Sequence, residues 1–277
     1  MNDIQRETVI EPNQNLQNIS EFFDHHGDTW ISVYDQETQE RWYEYYPIRI
    51  RERYACALIR DEPKGTAIDL GCGTGHALLE MARMNFSRIV GVDISEHMLE
   101  CAQRLIRKNH AEGRVEIHRS DVQDLKMIPS TSVDVCTALG VIEYLPSDEP
   151  LLREVHRILK PNGVLVIQVR NRQCYKNRLT NVLRSLLPVL KSKIWYREHG
   201  PHDFAANVER QGFKVEERRF AHYYALFPFS YMPGVRILVR WLDNYLNKYL
   251  ERRLSSSQIS VILASMLIVK ARKNARD

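Results

Sequence analysis

The chain reads as an α/β protein built on a doubly wound, mostly parallel sheet. Three observations predict this. From Thr66 to Arg170, short apolar runs alternate with amphipathic stretches at the pitch of βαβ units. The first apolar run leads straight into a glycine-rich turn, Gly71-Cys72-Gly73-Thr74-Gly75, followed by a helical pattern. The composition, 44% apolar and 27% charged over 277 residues, supplies a large core and excludes an unfolded chain.

In order, Thr66–Leu70 reads as a strand, Ala77–Met84 as a helix, Arg88–Val92 as a strand and Glu96–Asn109 as a helix. Val115–His118 and Val133–Leu139 are further strands. Glu149–Leu159 is a helix stopped by Lys160-Pro161-Asn162-Gly163, and Val164–Val169 is the fifth strand. The alternation then breaks. Tyr175–Lys193 and Pro233–Leu254 carry apolar residues at helical spacing, with a helix (Asp203–Gln211) and a strand (Lys214–Ala221) between them. A last strand is expected near Ile259–Lys270. Two closely spaced strands after five βα units imply that the last one enters antiparallel. Residues 1–65, helical and rich in aromatics, form an expected N-terminal helical cap. Residues 66–277 form the main domain, with helical inserts near 172–200 and 224–256.

No apolar run approaches the roughly 20 residues of a spanning helix. The first residues, MNDIQRETVIEPNQ, hold no apolar core of a secretory signal. The cysteines (Cys56, Cys72, Cys101, Cys136 and Cys174) are odd in number, scattered and without a CxxC pair, so a reduced, cytoplasmic setting is expected and a zinc site is not. Charge is unevenly spread. Residues 1–171 hold 19 Lys+Arg against 27 Asp+Glu, and residues 172–277 hold 20 against 8. Such a basic half suits an anionic substrate, nucleic acid or a membrane surface, or is a solvated helix face.

The chemistry points to the first strand end. Glycines at 71, 73 and 75 let the chain turn sharply and present bare backbone N–H groups to a ligand. A dinucleotide fingerprint needs glycine at 76, where this chain has His76, and the turn is preceded by the acid Asp69. A carboxylate there repels a pyrophosphate and suits the α-ammonium of an amino-acid-bearing cofactor, which favours S-adenosylmethionine over NAD. Asp93, in Val92-Asp93-Ile94 at the end of the second strand, is placed to accept from ribose hydroxyls. Asp121, in Ser120-Asp121-Val122 after the third strand, either accepts from an adenine amino group or caps the next helix. Leu139 ends the fourth strand ahead of Gly140-Val141-Ile142-Glu143-Tyr144, and Met98 is either core or a lid on an adenine ring.

These stretches (AIDLGCGTG, VGVDIS, SDVQDL, VDVCTALGVIEYL and LLREVHRILKPNGVLVIQVRN) resemble the class I S-adenosylmethionine-dependent methyltransferases over about Thr66–Asn171. They look most like the small-molecule subgroup that includes quinone-ring and natural-product O-methyltransferases. The resemblance implies a seven-stranded sheet with an antiparallel last strand and the cofactor lying across the C-terminal strand ends. It implies cofactor contacts at Asp69, Gly71, Gly73, Gly75, Asp93, Ile94, Met98, Asp121, Val122 and Leu139. Tyr46-Pro47-Ile48-Arg49 resembles the stretch of quinone methyltransferases whose arginine approaches the cofactor carboxylate, so Arg49 is the candidate, with Arg51 and Arg53 equally near.

Methyl transfer is an in-line displacement on an already activated carbon, so the protein mainly aligns the acceptor and excludes water. A base with pKa near 7 helps where the acceptor must lose a proton. His199 and His202, on the loop between the fifth and sixth strands, are the candidates, with His222 and Glu143 behind them. No acid cluster for a metal is apparent. Ala-Leu-Gly-Val after the fourth strand is unlike the motif used on nucleic-acid bases, which weighs against a nucleic-acid substrate. The expected function is transfer of a methyl group to a small or amphiphilic acceptor, foremost at oxygen. N-methylation, an RNA acceptor or a non-catalytic S-adenosylmethionine-binding subunit are the alternatives. The apolar, basic inserts would cover the acceptor, touch a membrane peripherally or join two copies in a homodimer.

Overall fold

The computed structural model describes residues 16–25, 46–186, 196–223 and 257–275, with positions 242, 245, 249, 250, 253 and 254. The expected insert at 224–256 lies largely outside these residues. So do residues 187–193 of the expected helix after the fifth strand, and the aromatics Trp30, Tyr34, Trp42, Tyr43 and Tyr45.

Seven strands form one sheet: β1 (Thr66–Leu70), β2 (Arg88–Asp93), β3 (Val115–Arg119), β4 (Val133–Leu139), β5 (Leu159–Arg170), β6 (Phe213–Tyr223) and β7 (Ala264–Lys273). Their order is β3-β2-β1-β4-β5-β7-β6. The strand pairs among β1–β5 are parallel, and β7 runs antiparallel between β5 and β6. Strands buried on both faces need no polar side, which is why they read as unbroken apolar runs. Successive side chains alternate between the faces. Ala67, Ile89, Val135, Val164 and Val166 point to one core, and Ile68, Val90, Cys136, Leu165 and Ile167 to the other.

The helices are α1 (16–25), α2 (Tyr46–Ile59), α3 (His76–Arg83), α4 (Glu96–Lys108), α5 (Glu149–Ile158), α6 (Tyr175–Leu186), α7 (Pro201–Arg210) and the single turn α8 (Ser260–Leu263). Helices α2, α3 and α4 cover the first face through Ile50, Ile59, Leu78, Ala82, Ala102 and Ile106. Helices α5 and α7 cover the second through Leu151, Leu152, Val155, Phe204 and Val208. Helix α4 starts on an N-cap, Ser95, whose side chain accepts from the Met98 N–H at 3.1 Å; Glu96 opens its first turn and Arg107 and Lys108 close its last, matching the helix dipole.

Two boundaries differ from the sequence reading. The last strand begins at Ala264, because the apolar residues before it form α8, where Ile259 and Ile262 are exposed. A short apolar run has no period that separates strand from helical turn. The Lys160–Gly163 stop lies inside β5: the pairing steps from Val133–Leu159 to Val135–Val164, so the turn residues bulge out of a continuing strand, with Asn162 at φ 64.

Candidate cofactor and acceptor site

The strand order reverses between β1 and β4, and a doubly wound sheet opens a crevice at such a point, beyond the C-terminal strand ends. A cleft lies there. Its floor is the β1–α3 turn. Gly71 has φ 72, and a Cβ on it would stand 2.9 Å from the Val141 Cβ, so only glycine lets β4's exit pass this close. The Gly71 and Cys72 N–H groups both donate to the Val92 carbonyl, at 2.8 and 3.0 Å, which ties the turn to β2. Above Gly73 the space is open for 4 Å.

Three carboxylates stand in series along the cleft. Asp69 is buried, and its Oδ1 accepts from the Thr137 hydroxyl at 2.5 Å. Burial pushes its carboxyl up to about 7 against that hydrogen bond, with Glu52 adding a like charge. Asp93 accepts from the Gly73 N–H at 2.8 Å and the Ser95 N–H at 3.0 Å, and burial raises its pKa. Asp121 accepts from the Gln123 N–H at 2.9 Å, so it both turns the chain after β3 and lines the cleft. Ile94, Met98, Val122 and Leu139 line it too; Met98 is buried in the first turn of α4 and still reaches the wall.

Gly75 does not line the cleft. At φ 86 it is the residue on which α3 starts, and a Cβ there would stand 3.0 Å from the Ala102 Cβ and 3.2 Å from its Cα. It therefore sets the approach of α3 to α4. Arg49 is exposed and off the cleft wall, whereas Arg51 lines it. The Arg51 guanidinium lies over Gly140, where an added Cβ would meet Nη1 at once and the Gln168 Oε1 at 3.4 Å. Arg51 Nε and Gln168 Oε1 are both buried without a hydrogen-bond partner among the described residues. An unmatched donor and an unmatched acceptor, beside buried Asp69 and near Glu52, fit the two ends of an amino-acid zwitterion.

Neither candidate base reaches the cleft. The His199 ring is buried, and its Nε2 donates to Asp148 Oδ1 at 3.0 Å, an oxygen that Arg197 also engages. Asn207 donates to Asp148 Oδ2 at 3.2 Å. Burial raises the Asp148 pKa, but His199 and Arg197 outweigh it and hold the carboxyl below its ordinary range. His199 thus fastens the loop before α7 to the start of α5. His202 is exposed in the first turn of α7, 3.5 Å from Arg218 Nη1. His222 bonds Ser265 Oγ at 2.8 Å, and burial with Lys176 and Arg170 nearby lowers its pKa to about 3. Glu143 pairs with Arg170 at 3.0 Å behind the wall residue Tyr144, whose phenol burial pushes up to about 12.

Several wall residues lay beyond sequence reasoning. His76 lines the cleft 3.1 Å from the Thr74 hydroxyl, and burial, with Arg49 and Arg83, lowers its pKa to about 4, so it is neutral at pH 7. Leu16, Ile19 and Phe23 of α1 close the cleft from above. That helix is pinned by Asp24, which accepts from the Ser95 hydroxyl at 2.6 Å and the His97 N–H at 3.3 Å, and by Phe23 edge-on to Tyr144 at 5.6 Å. The apolar spacing of 16, 19 and 23 was the available signal.

Residues 68–167 match the family model described as a methyltransferase domain. The match falls on the stretch whose motifs resemble the class I S-adenosylmethionine-dependent methyltransferases. The domain is 37% identical over 105 residues to a trans-aconitate 2-methyltransferase of Azoarcus sp., covering 38% of each chain. It is 28% identical over 117 residues to a ubiquinone/menaquinone biosynthesis C-methyltransferase of Geotalea daltonii, covering 42% of this chain and 49% of that one. The chain thus spans well under two thirds of the length of these two curated relatives. In fold, the methyltransferase domain and its surroundings resemble the magnesium protoporphyrin IX methyltransferase of Synechocystis PCC 6803 solved with S-adenosylhomocysteine. The TM-score is 0.64 at 14% identity, covering 94% of this chain and all of that one, a likeness that speaks to the fold alone. The same neighbour has also been solved with S-adenosylmethionine bound. Among the described residues no helix is long and apolar enough to cross a membrane, and no group of three or more His, Cys, Asp and Glu side chains could hold a metal ion.

Proposed function

We propose that this chain transfers the methyl group of S-adenosylmethionine to a small or amphiphilic acceptor at oxygen, with residues 1–65 acting as a cap over the site. The observation that carries the reading is the zwitterion seat: a buried carboxylate, a partnerless guanidinium Nε and a partnerless amide oxygen at the switch point of the sheet. In this reading Asp69 and Gln168 hold the ammonium, Arg51 holds the carboxylate, Asp93 holds the ribose hydroxyls, and Asp121, Met98 and Val122 border the adenine. When bound, the cofactor supplies a methyl carbon already activated by a sulfonium charge. The chain's own part is alignment and exclusion of water. Leu16, Ile19, Phe23, Val141, Tyr144 and Leu145 give the remaining wall an apolar and aromatic character suited to an amphiphilic acceptor.

The test is incubation of the purified chain with methyl-labelled S-adenosylmethionine and separate lipid-soluble, water-soluble and RNA fractions. Label in the lipid-soluble fraction, on oxygen, is the expected result. Label in RNA, or none despite cofactor binding, would overturn the acceptor class.

Arg51→Met is expected to weaken cofactor binding about tenfold in calorimetry, by removing a charge-assisted contact of about 1.5 kcal/mol. Arg49→Met should leave it within a factor of about two. Equal losses would remove Arg51 from the carboxylate seat.

Asp69 makes the seat sensitive to pH. Its folded-state pKa of about 7 lies above the ordinary 3.8, so its contribution to stability is complete below about pH 4 and fades as pH rises through 7. Without ligand, the wild type should lose about 2–3 kcal/mol of this contribution between pH 5 and 8, and Asp69→Asn should not. Denaturant titrations of both chains at the two pH values read the difference. An ammonium ligand needs the ionised carboxylate, so cofactor binding near pH 6 should release a proton, seen as a buffer-dependent binding enthalpy.

A further inference from the structure

Helix α6 follows the C-terminal end of β5, on the side of the sheet where the cleft lies, though none of its residues lines the cleft. It carries Leu179, Val182, Leu183 and Leu186 at i, i+3, i+4 and i+7, a single stripe along one face. A stripe of that spacing ordinarily faces a core. Here all four are exposed, at 41, 56, 38 and 70%. Its neighbour α8, in contact with α6, adds exposed Ile259 and Ile262.

Charge says what covers this face. From Arg172 to Lys193 the sequence holds six basic residues and no acidic one. Arg178, exposed, lies beside the stripe at 100° per residue. The acid that touches the helix, Glu198, bonds Asn181 at 2.9 Å, on the side turned away from the stripe. Apolar residues on one face, with Arg178 at its margin in a segment whose sequence is basic throughout, match an interface between acyl chains and anionic headgroups. A second copy of the chain would bring the same cations against each other.

We propose that the α6 stripe docks the protein peripherally on an anionic lipid surface. Docking there sets the cleft edge at the membrane. The link to an acceptor that partitions into lipid rests on the methyltransferase reading, whereas the docking itself does not.

Flotation of the full chain with vesicles tests this, using equal phosphatidylcholine and phosphatidylglycerol against phosphatidylcholine alone. The wild type should float with the anionic vesicles, at least about tenfold more than with the neutral ones, and less so in high salt. Val182→Glu/Leu186→Glu, both at exposed helix positions, should cut that binding about tenfold or more while leaving cofactor affinity unchanged by calorimetry. Leu186→Gln gives a milder version of the same loss. The proposal is overturned if the wild type stays in the soluble fraction, or if the double variant floats equally well. It is likewise overturned if the double variant turns a dimer into a monomer without altering flotation, since a second copy would then own the stripe. Cofactor affinity is read separately, so a docking failure is not mistaken for failure of the methyltransferase reading.

Discussion

Asp93→Ala should weaken S-adenosylmethionine binding by about 100-fold or more. In the unliganded protein this carboxylate already accepts from the Gly73 and Ser95 N–H groups, so it is locked in place at the end of β2. Its orientation costs nothing further when ribose hydroxyls arrive. Two charge-assisted bonds lost to a buried site amount to about 3 kcal/mol, which is the expected drop in affinity. Asp93→Asn keeps the shape and one acceptor and should lose about tenfold. Calorimetry on both variants, with thermal unfolding as a check on the turn, reads the ordering. If Asp93→Ala bound as the wild type does, the ribose would lie elsewhere in the cleft.

Gly75→Val should be strongly destabilising, by about 3–4 kcal/mol. The left-handed φ of 86 strains any β-branched residue. A side chain there would also press on the Ala102 Cβ and backbone, which cannot swing aside as a flexible side chain can. The midpoint of thermal unfolding should fall by about 10 °C for a chain of this size. Gly73→Ala is the informative contrast. With φ 51 but nothing within 4 Å, it should cost about 1 kcal/mol of stability, while its methyl projects into the space offered to the cofactor. Stability losses of the same size in both variants would mean that the α3–α4 approach is not what Gly75 protects.

The contrast between these glycines shows what the sequence could carry. The spacing Gly71-x-Gly73-x-Gly75 with Asp69, Asp93 and Asp121 marks the cleft because each sits at a strand end, and strand ends are legible from apolar runs. Which glycine meets a ligand and which meets a neighbouring helix is a question about Ala102, 27 residues away, and no local pattern answers it. The sequence left the arginine open for a similar reason. Arg49 and Arg51 are two residues apart on α2, hence about 200° around it, and only the packing of Ile50 and Ile59 fixes which one turns to the cleft. A loop histidine near a strand end, such as His199, has the same sequence signature whether it serves as a base or as a structural link. Its partner Asp148, at the start of α5, becomes visible only once both elements are folded. The helix α1 wall was missed because residues 16–25 span fewer than three helical turns, too short a pattern to assign a destination.

The place of β7 has a consequence for how the molecule comes to be built. Because β7 lies between β5 and β6, a ribosome delivers β6 before the neighbour it needs, and the β5 edge stays open until Ala264–Lys273 emerge. Zipping Val164 against Arg272 closes a long loop, so this is a slow, late event with a bare strand edge waiting. During that interval the nascent chain is most exposed to mispairing with its own kind, and chaperone demand should concentrate there.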